Sequence, residues 1–111
     1  EIRAFAAAVA EESGLKVEIE EVSHYPAVPF EAGCVAAVRR ATQALGYSHM
    51  PCVSGAGHDA VYVARLAPAG MIFVPCKDGI SHNEIEDAQP AHLEAGCNVL
   101  LHAMLDRAGV V

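Results

Sequence analysis

The chain has 111 residues, 53% of them apolar, with seven basic and fourteen acidic side chains and a formal net charge of −7. That is enough for one domain but not two, and the apolar fraction argues against disorder. An acidic chain with no basic cluster beyond Arg39-Arg40 repels phosphate backbones, and no apolar run approaches the roughly 20 residues of a membrane span, so nucleic acid and membrane are set aside as partners.

Ile2, Phe5, Ala6, Val9 and Ala10 recur at helical spacing, and Gly14 follows as a stop, which predicts a helix over 1–13. The chain enters this pattern directly at Glu1, without an initiator Met or a signal peptide, so a piece of a longer protein is expected. Lys16-Val17-Glu18-Ile19-Glu20 alternates strictly, the period of a half-buried strand. Residues 23–29 carry Pro26 and Pro29, which resist helix and central strand alike, and read as a connector.

From Phe30 the helical period returns. Cys34, Val35, Val38, Ala41, Thr42 and Leu45 make one face, and Gly46 ends it. A short apolar piece, 50–53, leads to a Gly-rich loop and a short helix over 58–66, broken by Ala67-Pro68-Ala69-Gly70. Met71-Ile72-Phe73-Val74 is continuously apolar and predicts a strand buried on both faces. Pro90 suits a first helical position, and Leu93, Cys97, Leu100 and Met104 mark a last helix to about Arg107. Helix and strand alternate after residue 46, which argues α/β layers. The cysteines at 34, 52, 76 and 97 form no C-x-x-C pair, so buried thiols in a reducing cytoplasm are expected rather than a zinc knuckle or a disulfide framework.

Chemistry concentrates in two loops. Ser54-Gly55-Ala56-Gly57-His58-Asp59-Ala60 combines glycines that allow close backbone approach with the start of a helix, a place for a carboxylate or a developing oxyanion. The bland alternative is a tight turn with Asp59 capping the helix. Cys76-Lys77-Asp78-Gly79-Ile80-Ser81-His82-Asn83-Glu84 follows the apolar run 71–74, where an α/β protein presents side chains from a fixed strand. The two loops are expected to line one site, with His82 as a metal ligand and Asp78 or Glu84 as further ligands or as acceptors that orient its ring.

A hydrolytic metal site needs about three or four protein ligands. Neither H-x-D nor H-E-x-x-H occurs, so the other ligands must come from outside this chain. His24, His49, His92 and His102 carry no such context, and Glu84, Glu86 and Asp87 read as a solvated loop edge. A Ser–His nucleophile pair is open at Ser54 or Ser81, without a G-x-S-x-G elbow. Cys76 as a nucleophile with His58 or His82 is the weaker reading, since no helix N-terminus lowers its pKa.

In this order and spacing, residues 54–60, Met71-Ile72-Phe73-Val74-Pro75 and Asp78-Gly79-Ile80-Ser81-His82-Asn83-Glu84 resemble the hydantoinase/carbamoylase branch of the M20-type metallo-amidohydrolases. That branch includes N-carbamoyl-L-amino-acid hydrolases, allantoate amidohydrolases and β-ureidopropionases. The Pro26–Phe30 connector, the helix after it and Gly96-Cys97-Asn98-Val99-Leu100 add to the likeness, which spans essentially the whole chain.

The resemblance implies an α/β fold. Residues 1–25 would be the last helix and strand of a lid and dimerisation domain, and residues 26–111 the C-terminal part of a catalytic domain whose sheet strands are flanked by helices. In isolation those strands would lack sheet neighbours. His82 matches the family's last metal ligand, and Gly57 and His58 match positions that contact substrate. The general base, the earlier ligands and the lid arginine have no counterparts, so no catalytic residue is expected within this chain. The resemblance further implies a cytoplasmic homodimer with two divalent ions (zinc, manganese, cobalt or nickel) that hydrolyses a linear amide or ureido C–N bond of a small molecule. An aminoacylase or peptidase of the wider M20 group, or a non-catalytic remnant or interaction module, are the alternatives.

Overall fold

Small side chains one turn apart decide how the two longest helices meet. In the computed structural model, which describes residues 1–110, α2 (Ala32–Ala44) and α4 (Pro90–Ala108) pack through Ala37 and Ala41 on one side and Val99 and Ala103 on the other. Positions i and i+4 share a helical face, and alanine there lets the backbones approach. Val38, Leu45, Tyr47 and Ile72 close the edges of this small core.

The ends of α2 are fixed by local chemistry. Both Glu31 carboxylate oxygens accept backbone N–H groups, from Gly33 at 2.8 Å and Cys34 at 2.7 Å. Those bonds, the Gly33 one foremost, hold its carboxyl below the usual range. At the other end Gly46 has φ 71°, and the N–H groups of Gly46 and Tyr47 return to the carbonyls of Gln43 and Thr42. This is the Schellman arrangement that satisfies a helix's last acceptors. The Tyr47 hydroxyl then accepts from Asn98 Nδ2 at 3.3 Å, and Arg40 pairs with Asp106 at 2.6 Å, tying the same two helices together.

α1 (Ile2–Ser13) stops at Gly14, with φ 70°. The following residues fold back beside it, where Arg3 Nη1 donates to the Ile19 carbonyl at 3.0 Å. Among the described residues, α1 touches no other helix, and Ile2 and Phe5 are exposed. The molecule extends 65 × 32 × 22 Å with a radius of gyration of 19.8 Å, where a compact chain of this length would have about 13 Å. Its accessible surface of 8990 Å² likewise exceeds the roughly 5,800 Å² usual for this mass.

Three expectations need correcting. Among the described residues no β-strand forms: 16–20, 50–53 and 71–74 lack regular secondary structure and exchange no ladder hydrogen bonds. A strand is defined by its neighbour, and none is present to receive these N–H and C=O groups. The α/β expectation is therefore met here in its helices alone. Residues 71–74 are not buried on both faces either. Ile72 and Val74 face α2 and α4, whereas Phe73 points away and is half exposed.

The apolar stripe of α4 does not make the helix–helix contact. Leu93, Cys97, Leu100 and Met104 line an open groove of about 490 Å³ with Cys34, Val38, Ile72 and Val74. The Val99–Ala103 face won the helix contact because its smaller side chains admit closer packing. Finally, all four cysteines are free, but only Cys34 and Cys76 are half-buried, while Cys52 and Cys97 are exposed.

Candidate functional site

The segment 71–74 carries the site on its outer side. Val74 Cγ1 lies against Gly96 of α4, so close that a Cβ at Gly96 would stand 2.7 Å from it. That contact seats the segment on the helix layer. The period of two then sends Phe73 the other way, where its ring meets the His58 ring edge-on, with centroids 5.5 Å apart and planes at 64°. His58 in turn meets the His82 ring, with centroids 5.5 Å apart and planes at 67°. The two loops singled out in the sequence thus come together through their histidines.

His58 occupies the cap position of α3 (Asp59–Val63) with extended backbone, φ −140° and ψ 150°. Asp59 is the first helical residue rather than the cap, and no side chain caps this helix. With five residues, α3 has little macrodipole to offer an anion. What orients His58 is Ser54, whose Oγ stands 2.8 Å from Nε2 and accepts the Ala56 N–H at 3.1 Å. Gly55 and Gly57 have no chain atom within 4 Å of where a Cβ would be, so nothing in this chain requires glycine there.

His82 sits in a tighter loop. A 3₁₀ turn at Lys77–Gly79 opens it, and the Lys77 N–H donates to the Asp87 carbonyl at 2.7 Å, closing its base. Asp78 and His82 have φ of 55° and 56°, a region uncommon for residues other than glycine. Asn83 turns the chain, with its Oδ1 accepting from the Ile85 N–H and its carbonyl from the Glu86 N–H. Glu86 then folds back. Its Oε2 accepts the His82 N–H at 2.7 Å and its Oε1 the Cys76 thiol at 3.7 Å. Glu86 is therefore more than a solvated loop edge. Asp78 and Glu84 do not hydrogen-bond the His82 ring. Partial burial, and after it the Glu86 carboxylate, push the Cys76 thiol up, which opposes a nucleophilic role.

Among the described residues no three His, Cys, Asp or Glu side chains converge as a metal cage. The exposed His82 imidazole can supply one nitrogen donor, so these residues fit one wall of a divalent-metal site and not a whole one. Two partners had no place among the expectations, the Phe73 ring beside His58 and Glu86, whereas the Ser54–His58 bond falls on the Ser–His pairing left open at Ser54. The H-x-x-x-E spacing was the available signal for Glu86.

The profile described as "Peptidase family M20/M25/M40" matches residues 2–106. An N-carbamoyl-L-amino-acid amidohydrolase of Rhizobium meliloti is 47% identical over 110 residues, which is 99% of this chain and 26% of that protein. An allantoate amidohydrolase of Bacillus subtilis is 36% identical over 89 residues, 80% of this chain and 22% of that protein. A crystal structure of an amidase of the hydantoinase/carbamoylase family from Burkholderia multivorans superposes with a TM-score of 0.90 at 56% identity, covering 96% of this chain and 26% of the other. The chain thus spans about a quarter of the length of the relatives it matches.

Proposed function

The chain belongs to peptidase family M20/M25/M40, and from that membership we propose that it is the C-terminal piece of an amidohydrolase cleaving a linear amide or ureido C–N bond. In this reading His82 is a metal ligand, and Gly57 and His58 contact substrate. The observation that supports it is the approach of the His58 and His82 rings from two separate loops.

Amidohydrolases of this family generally depend on divalent metal. A divalent ion supplies Lewis acidity toward a carbonyl oxygen and a lowered pKa for water. The chain's own contribution is positional. His82 offers one ring nitrogen. Ser54 engages Nε2 of His58, which leaves Nδ1 to hydrogen-bond substrate. The open space beside Gly57 lets substrate approach the backbone there. The remaining ligands and the general base belong to the rest of the protein, as do the strands that would pair with 71–74 and complete an α/β sheet. Residues 1–25 belong to a lid through which the protein dimerises, and residues 26–111 to the catalytic domain. Two ions of zinc, manganese, cobalt or nickel occupy the complete site. Four free thiols suit a cytoplasmic enzyme.

The test is His82→Ala in the full-length protein, with metal counted by mass spectrometry and hydrolysis assayed on N-carbamoyl amino acids, allantoate and N-acyl amino acids. Loss of about one metal equivalent per protomer, with loss of ureido hydrolysis, is expected. Full metal content in the variant would overturn the ligand assignment. A wild type active only on N-acyl substrates would move the assignment to an aminoacylase.

A further inference from the structure

Glu86 lies four residues beyond His82, and both oxygens of its carboxylate are engaged with the loop that His82 occupies. Oε2 accepts the His82 N–H at 2.7 Å, and Oε1 accepts the Cys76 thiol at 3.7 Å. Cys76 is the residue at which the apolar segment gives way to the loop, and His82 stands near its tip. One carboxylate therefore spans the loop from base to tip. The backbone bond falls at the position that most needs it, because His82 has φ 56°. A non-glycine residue in that region tends to relax unless its surroundings fix it.

The rest of the loop serves to aim Glu86. The Glu86 N–H donates to the Asn83 carbonyl at 3.0 Å and the Ile85 N–H to Asn83 Oδ1 at 3.1 Å, which turns the chain back toward His82. The Lys77 N–H to the Asp87 carbonyl, at 2.7 Å, brings the neighbour of Glu86 to the base of the loop. No hydrogen bond to the His82 ring itself is present among the described residues, so the ring's direction follows from its backbone.

We propose that Glu86 is a positioning residue, clamping the His82 backbone in its left-handed conformation so that the imidazole is presented to the metal with the ring beside His58. This rests on the reading of His82 as a ligand. The carboxylate acts through the His82 amide and touches neither metal nor substrate. Groups that fix a metal ligand typically change affinity by about 10- to 100-fold when removed. The clamp requires an acceptor at this reach and not a charge as such. Glutamine can keep the bond from the His82 N–H through its carbonyl oxygen. Aspartate, one methylene shorter, cannot reach both partners.

The experiment measures the metal dissociation constant of the full-length protein by competition with a chromogenic chelator, using Zn²⁺ alone. The variants are Glu86→Ala, Glu86→Asp and Glu86→Gln, beside His82→Ala as reference. Glu86→Ala and Glu86→Asp are expected to weaken one metal equivalent by about 10-fold or more, while Glu86→Gln stays within about threefold of wild type. Should Glu86→Ala fail to fold, the Asp and Gln variants decide alone. Retained affinity in Asp with loss in Gln would show that charge is what matters and overturn the clamp, as would unchanged affinity in both. His82→Ala keeps the two ideas apart. If it binds metal like wild type, the ligand assignment falls. If it loses an equivalent while Glu86→Ala and Glu86→Asp do not, only the clamp falls.

Discussion

The His58 ring stands edge-on to the His82 ring, 5.5 Å between centroids and 67° between planes. Each ring is held from a different side, His58 by Ser54 and His82 through its backbone by Glu86. On the proposed roles, the two should fail differently. His58→Ala is expected to keep its full metal content and lose about 100-fold in kcat/KM, the scale seen when one polar contact to the reacting group is removed. Ser54→Ala should fall short of that, since it frees the ring without deleting it. Steady-state kinetics alongside metal analysis checks both, and metal loss in His58→Ala would contradict the division.

Gly96 and Val74 offer a packing test. A methyl at Gly96 would stand 2.7 Å from Val74 Cγ1, and the β-branched valine has few rotamers in which to yield. Gly96→Ala should cost about 1–3 kcal/mol. Truncating the partner makes room, so Gly96→Ala with Val74→Ala should cost less than the sum of the two, with a coupling of about 0.5–3 kcal/mol. Urea titration of the four proteins measures it. Strict additivity would show that the helix and the segment do not press on each other.

The core contact itself is tight. Ala37 is 1% exposed and faces Val99 and Ala103 within the core. Ala37→Leu adds three carbons with nowhere to go and should destabilise by about 1–3 kcal/mol. Ala44, on the same helix but exposed, is the control, and the same change there should be nearly neutral in a denaturation midpoint.

Glu31 predicts a pH dependence. Its two backbone bonds lower its carboxyl from the ordinary 4.5, so the folded state prefers the ionised form. The stabilisation it gives is complete above the unfolded value and is lost as pH falls through the lower folded value. The stability difference between wild type and Glu31→Gln should therefore be constant from neutral pH to about 5 and shrink as acidification proceeds below 4.5. A difference that grows on acidification would mean that the bonds do not favour the carboxylate.

The helices were legible because each carries its own signals. Gly14, Gly46 and Pro90 mark boundaries that the backbone obeys within a residue or two. Which face a helix buries was less legible. The 93/97/100/104 stripe of α4 is more apolar than the Val99–Ala103 face, but small residues fix the closest approach, and hydrophobicity alone does not register that. The strands were over-read, since an alternating run states a willingness to pair and not the presence of a partner. At the site, His58 and His82 stood out by their loops, whereas Glu86 was hidden in an acidic run whose solvated reading is the common one. Its role depends on a backbone reversal at Asn83 that composition does not reveal.

Residues 71–74 give odd and even positions different masters. Ile72 and Val74 answer to the helices, Phe73 to the histidine above it. Substituting the aromatic should therefore leave the scaffold's thermal tolerance nearly intact while releasing the histidine ring, whereas trimming either aliphatic neighbour should loosen the segment's seat on the helices. An engineer of this chain can vary the outer position without unseating the segment, and the two beside it are best left alone.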